Sequence, residues 1–167
     1  AGRDSLPPLL ARALADGADP VRLMPELRSA VTNVIGRRPN TIRWTLNPYH
    51  HLAMHEHDAT HLTLSRHYTF SASHRLALPG LSDEENYDRF GKCSRPNGHG
   101  HNYELVVHAR IPLDDDAFDA AELDSIITNS VIDHLDHRNL NLDIEAFKAA
   151  NPTLERITLY CHQLLCE

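Results

Sequence analysis

The strongest constraint in this 167-residue chain is the run Cys93-Ser94-Arg95-Pro96-Asn97-Gly98-His99-Gly100-His101-Asn102-Tyr103, which passes directly into Glu104-Leu105-Val106-Val107-His108-Ala109. That continuation is rich in β-branched and aromatic residues and reads as a strand. Positions i and i+2 of a strand face the same way, so His99 and His101 present two imidazoles on one face. Gly98 and Gly100 keep the backbone slim enough to approach an ion. Two histidines do not complete a zinc site. A second strand-like run, Tyr68 to Leu76, carries His74. Paired with the first as a long-looped antiparallel hairpin, it brings His74 to His99 and His101. Three imidazoles on a divalent ion leave a fourth position open, the arrangement of catalytic rather than structural zinc. Cys93 then lies in the loop, near the metal yet free to act as base or nucleophile.

A chain of this length is expected to form one domain with a real core. Its net charge of −7 speaks against a nucleic-acid partner. No apolar run reaches membrane-spanning length, so no membrane association is expected. Ala1 is not followed by a signal-peptide pattern, and without an initial Met the chain is expected to be processed or partial. Three cysteines without framework spacing fit a reducing cytoplasm rather than a disulfide scaffold. Neither is there a glycine-rich nucleotide loop.

Along the chain, Leu6, Leu9, Leu10, Ala13 and Leu14, then Leu23, Leu27, Ala30 and Val31, follow a 3.6-residue period. Residues 5–35 are expected to be helical, interrupted near Gly17 and Pro20 and stopped at Gly36. Thr41–Leu46 alternates as a strand. His50, His51, His55, His57, His61 and His67 crowd together and are expected to be a solvated surface, prone to adventitious nickel or zinc. His61–Leu76 reads as one long strand and 77–91 as a polar loop. Ala121–Leu135 is an amphipathic helix with Leu123, Ile126, Ile127, Val131 and Leu135 on one face. A last helix is expected from Asn151-Pro152-Thr153, with Asn151 as cap, and should bury Cys161 and Cys166.

Four blocks carry a family resemblance: Phe70 to Leu76, Phe90 to Tyr103, Leu135-Asp136-His137-Arg138-Asn139-Leu140-Asn141, and Pro152-Thr153-Leu154-Glu155. Together they resemble the 6-pyruvoyl-tetrahydropterin synthase family. The resemblance implies an α+β, tunnelling-fold-like antiparallel sheet with a pair of helices on one face. Subunits would assemble into a multi-subunit barrel, a trimer or hexamer. It implies Zn2+ on His74, His99 and His101, with Cys93, Asp136 and His137 catalytic and Thr153 and Glu155 contacting the pterin. Arg156 stands where asparagine is usual. Arg75, Lys92 and Arg95 are candidates to receive phosphate.

The implied reaction is elimination of triphosphate from 7,8-dihydroneopterin triphosphate to give 6-pyruvoyl-tetrahydropterin. The alternatives are a 6-carboxytetrahydropterin synthase of the queuosine precursor pathway and a non-catalytic pterin-binding, barrel-forming subunit. The five residues between Cys93 and His99 resemble the pyruvoyl branch. The chain departs from the family at its ends. Residues 59–167 read as a pterin synthase-like segment without the last two strands. Residues 1–58 read as helix, strand, strand: half of a preceding or permuted repeat. No residue after Glu155 matches the family's pterin-anchoring glutamate. Leu46-Asn47 occupies the aligned position, with Glu56 as a substitute.

Overall fold

The computed structural model of the chain describes residues 19–166 together with Ala11. The rest of the expected helix before Asp19 lies outside the described residues. The chain packs as two compact units. One comprises His67 and the described residues before it, with Val106–Phe118; the other comprises Tyr68–Leu105 and the described residues from Asp119.

In the first unit, helix α1 spans Pro20–Ile35. Asp19 starts it by accepting a hydrogen bond from the Val21 amide, and Pro20 occupies the first turn, where no amide donor is needed. Gly36 ends it in the left-handed conformation (φ 72°), its N–H donating to the Thr32 carbonyl. Leu23, Met24, Leu27 and Ala30 recur at helical spacing and are buried. This stripe packs against strand β2, His50–His55, which pairs antiparallel with β1, Thr41–Asn47. Strand β3, His61–His74, pairs antiparallel with β2 through Thr63–Arg66. Alternation puts Ile42, Leu52, Met54, Leu62 and Leu64 into the core. Each such side chain stabilises the fold by roughly 1.5–3 kcal/mol relative to exposure.

The second unit takes Tyr68–His74 of β3 and His99–Leu105 of β4, a strand that spans His99–Pro112 and neighbours β3. The expected polar loop at 77–91 contains a helix, α2, over Asp83–Phe90. A capping box forms it: the Ser82 hydroxyl accepts from the Glu85 amide while the Glu85 carboxylate accepts from the Ser82 amide. Helix α3, Ala120–Ile127, continues through a π-helical turn at Thr128–Ile132 into Asp133–Leu135. Of its expected apolar face, Ile127, Val131 and Leu135 are buried, whereas Ile126 is 46% exposed.

Arg138–Asn139 forms a short strand, β5, parallel to Ala72 and Ser73 of β3. The sheet is therefore mixed, not wholly antiparallel as expected. Helix α4 spans Leu154–Cys166 and starts later than the sequence suggested. The Asn151 side chain accepts from the Ala77 amide instead of capping it. Phe70, Ala72, Val131, Leu135, Leu140, Ile144, Phe147, Ile157 and Cys161 form this unit's core.

β2 satisfies one edge of β3 over His50–Ala53. Removing residues 1–58 would strip that edge bare and expose Leu62 and Leu64, so the truncated chain is expected to be insoluble or molten, without a near-ultraviolet dichroism spectrum. A well-folded monomer of residues 59–167 would contradict this.

Candidate functional site

His74 ends β3, and His99 and His101 begin β4, all within the second unit. Their rings converge, with centroids 4.8, 4.9 and 4.5 Å apart. His101 Nε2 lies 3.2 Å from His74 Nε2 and 2.7 Å from His99 Nε2. Between hydrogen-free nitrogens such distances would be repulsive; a shared proton or a cation relieves that repulsion.

His74 is buried, and its Nδ1 lies 2.9 Å from the Pro152 carbonyl oxygen. A carbonyl only accepts, so Nδ1 carries the proton and Nε2 offers its lone pair toward the other two rings. Burial lowers the proton affinity of His74, which favours the neutral, ligand-ready form. Burial acts on His99 in the same direction, followed by its neighbours His74 and His101.

Local backbone geometry makes this convergence possible. Gly98 has φ 65°, and a Cβ there would sit 2.7 Å from the His74 carbonyl oxygen. Only glycine lets the loop pass that close to β3. Asn141 clamps the next residue from the other side, accepting from the Arg75 amide at 2.7 Å and donating to the Arg75 carbonyl at 3.0 Å.

Cys93 sits in the 3₁₀ turn Gly91–Ser94 that follows α2. Its Sγ and ligand atoms of His74 and His99 all lie within 4.8 Å of one another, a group that could hold a metal ion. Cys93 is partly exposed, Cys161 is buried and Cys166, against expectation, is exposed at the last turn of α4. Burial pushes the Cys161 thiol up to about 11, leaving it unreactive. Tyr103 stacks on Phe70 with centroids 4.9 Å apart, and its buried hydroxyl has no hydrogen-bond partner among the described residues.

Asp136 and His137 follow the last turn of the α3 region. His137 Nδ1 is 2.7 Å from Asp136 Oδ2, while Asp136 Oδ1 accepts from the Ser71 amide at 2.7 Å. The His137 amide donates to the Ser71 carbonyl at 2.6 Å. These bonds hold His137 at φ 56°, a left-handed conformation rare for a residue with a side chain. Its ring is 83% exposed and can meet a ligand. The Ser71 amide, then His137, keeps the Asp136 carboxyl below the usual carboxylate range.

His101 and His137 line one open cleft of about 570 Å³ with Ser71, Asn102 and Arg138. Arg75, Gly98, Thr153 and Arg156 line another of about 1030 Å³. Of the two expected pterin contacts, Thr153 thus faces a cleft, and Glu155 receives hydrogen bonds from its own amide and from Thr153. Arg75 is occupied: it donates to the Ser94 carbonyl at 2.8 Å and to Asp83 at 2.8 Å. Pro152, Asn141, Ser71 and Tyr103 fall within the four resembling blocks, but their contacts act across long stretches of chain, so no local pattern announces what each one does.

The family model for 6-pyruvoyl tetrahydropterin synthase matches residues 63–167. The 6-pyruvoyl tetrahydrobiopterin synthase of Pongo abelii is 45% identical over 100 residues, 58% of this chain and 69% of that protein. The Homo sapiens protein of the same name is 44% identical over 100 residues, with the same shares of each chain. A solved Caenorhabditis elegans 6-pyruvoyl tetrahydropterin synthase superposes with a TM-score of 0.57 at 41% identity, covering 63% of this chain and 76% of that one. The matched stretch holds the whole imidazole cluster, Cys93 and the Asp136–His137 pair. The chain belongs to the 6-pyruvoyl tetrahydropterin synthase family and is a lyase-type enzyme.

Proposed function

We propose that the chain is a zinc-dependent lyase that converts 7,8-dihydroneopterin triphosphate to 6-pyruvoyl-tetrahydropterin and triphosphate. The observation that carries this is the convergence of three imidazole Nε2 atoms beside a free cysteine. Nitrogens at zinc–ligand distance around a tetrahedral ion lie about 3.3 Å apart. The His101–His74 pair, at 3.2 Å, matches that spacing, and the His101–His99 pair, at 2.7 Å, is closer and would open by about half an ångström around the ion. His74, His99 and His101 would hold the ion, which supplies Lewis acidity to the substrate's side-chain hydroxyls.

The chain's own groups then handle protons. Cys93 takes a carbon-bound proton, and His137 gives and receives protons at the exposed face of the same unit. Asp136 positions His137 through Nδ1, and its carboxylate stays ionised across neutral and mildly acidic pH. Sustained by Ser71 and His137, that charge is lost only as pH falls through the depressed value. Thr153 and Glu155 contact the pterin ring.

The C–O bond to triphosphate breaks, and protons move from side chain to ring. No electrons leave the substrate, so no redox cofactor is required. Subunits of the same chain join into a trimeric or hexameric barrel. Free thiols suit a cytoplasmic enzyme.

Mass spectrometry of the products from the zinc-loaded chain and 7,8-dihydroneopterin triphosphate tests the reading. The pyruvoyl product is expected. A carboxy product with acetaldehyde would move the chain to the 6-carboxytetrahydropterin branch, and neither product would overturn the proposed reaction in favour of a binding subunit. Cys93→Ala should lower turnover by about 10²–10⁴-fold, the worth of a positioned proton-transfer group. Its zinc content should stay unchanged; loss of the ion would make Cys93 a ligand instead. Asp136→Asn should lower kcat while leaving zinc content and fold intact, and full activity would remove Asp136 from the account.

A further inference from the structure

Most imidazoles of the histidine-rich segment are engaged locally. His50 Nδ1 lies 3.2 Å from Asn47 Nδ2, and His55 Nδ1 3.1 Å from Thr41 Oγ1. His57 Nε2 is 3.0 Å from Glu56, and His61 Nδ1 is 2.8 Å from Thr60 Oγ1. His51 and His67 differ: neither side chain has a hydrogen bond among the described residues, and their rings lie 5.7 Å apart.

Sheet register explains the pairing. His51 is the partner of Ser65 on β3, and His67, two residues on, shares Ser65's face. His108 of β4 joins them, its Nδ1 2.7 Å from Ser65 Oγ and its ring 6.5 Å from that of His51. Three neighbouring strands of the first unit thus bring three imidazoles to one place, on the face opposite buried Leu62 and Leu64.

We propose that His51, His67 and His108 form a second metal site, for a borderline divalent ion such as Zn2+, Ni2+ or Cu2+, that ties β2, β3 and β4 together. Imidazole donors suit these ions. An ion at bonding distance from each nitrogen puts bound rings about 5.2–5.6 Å apart, centre to centre. His51 and His67, at 5.7 Å, stand just outside that spacing. His108 is exposed, and its ring, 6.5 Å from that of His51, stands about one ångström beyond that spacing.

Ser65 is 2% exposed and engages His108 Nδ1, so Nε2 is left to bind, the arrangement by which an outer partner orients a ligand. Burial and the nearby Arg43 lower the proton affinity of His51, consistent with a neutral donor. The ion would be structural, stabilising the folded state that alone assembles its donors. The site shares no residue with the proposed reaction.

Co2+ titration of the metal-free full-length chain, read by visible absorption and elemental analysis, tests this. Two equivalents are expected with the unsubstituted chain. His51→Gln/His67→Gln/His108→Gln should bind one, and Ser65→Ala should weaken only the second equivalent, by about 10–100-fold. A single equivalent in the unsubstituted chain, two in the triple variant, uptake of the second only at millimolar Co2+, or unchanged affinity in Ser65→Ala would each overturn the site.

Discussion

The hydrogen bond between His74 Nδ1 and the Pro152 carbonyl is the contact on which the site depends. It links the end of β3 to the segment leading into α4, residues 78 apart in sequence. The bond decides which nitrogen of His74 is protonated, and thereby which one faces His99 and His101. Burial of His74 excludes competing water, and the close passage of Gly98 against its carbonyl brings β4 into reach. Loss of any one of these would leave three histidines near each other without a common focus.

The Asp136–His137 pair is built by different means. Asp136 and His137 leave the helical region in a strained turn, which one backbone hydrogen bond from His137 to Ser71 and two contacts of the Asp136 carboxylate, with the Ser71 amide and His137 Nδ1, over-determine. β5 continues directly from that turn alongside Ala72 and Ser73, so one short stretch of β3 anchors both the pair and His74. Strain of this kind persists only where surrounding bonds hold it, and here they deliver an exposed imidazole with one nitrogen already committed to a carboxylate.

Much of this was legible from local pattern. The His-x-His spacing on a strand, the second strand with His74, α1 with its Gly36 stop and the β1 strand all follow from periodicity and backbone chemistry. The departures have physical causes. Helix α2 stands where a polar sequence predicts a loop, because Ser82 and Glu85 carry a capping-box signature that forms a helix without an apolar face. Asn151 has the chemistry of a cap, but its side chain accepts from the Ala77 amide across the fold. Parallel pairing of β5 depends on two residues, too few for any sequence period to register. The clustering of His51 and His67 with His108 needed sheet register, which no single strand reveals.

The central claim is that imidazoles alone hold the catalytic ion while Cys93, close enough to compete, stays free for proton transfer. X-ray absorption at the zinc edge, on the triple His51→Gln/His67→Gln/His108→Gln chain carrying one zinc, tests it directly. The account predicts a shell of nitrogen or oxygen neighbours at about 2.0–2.1 Å with histidine outer-shell scattering and no sulfur. A sulfur neighbour at about 2.3 Å would contradict it.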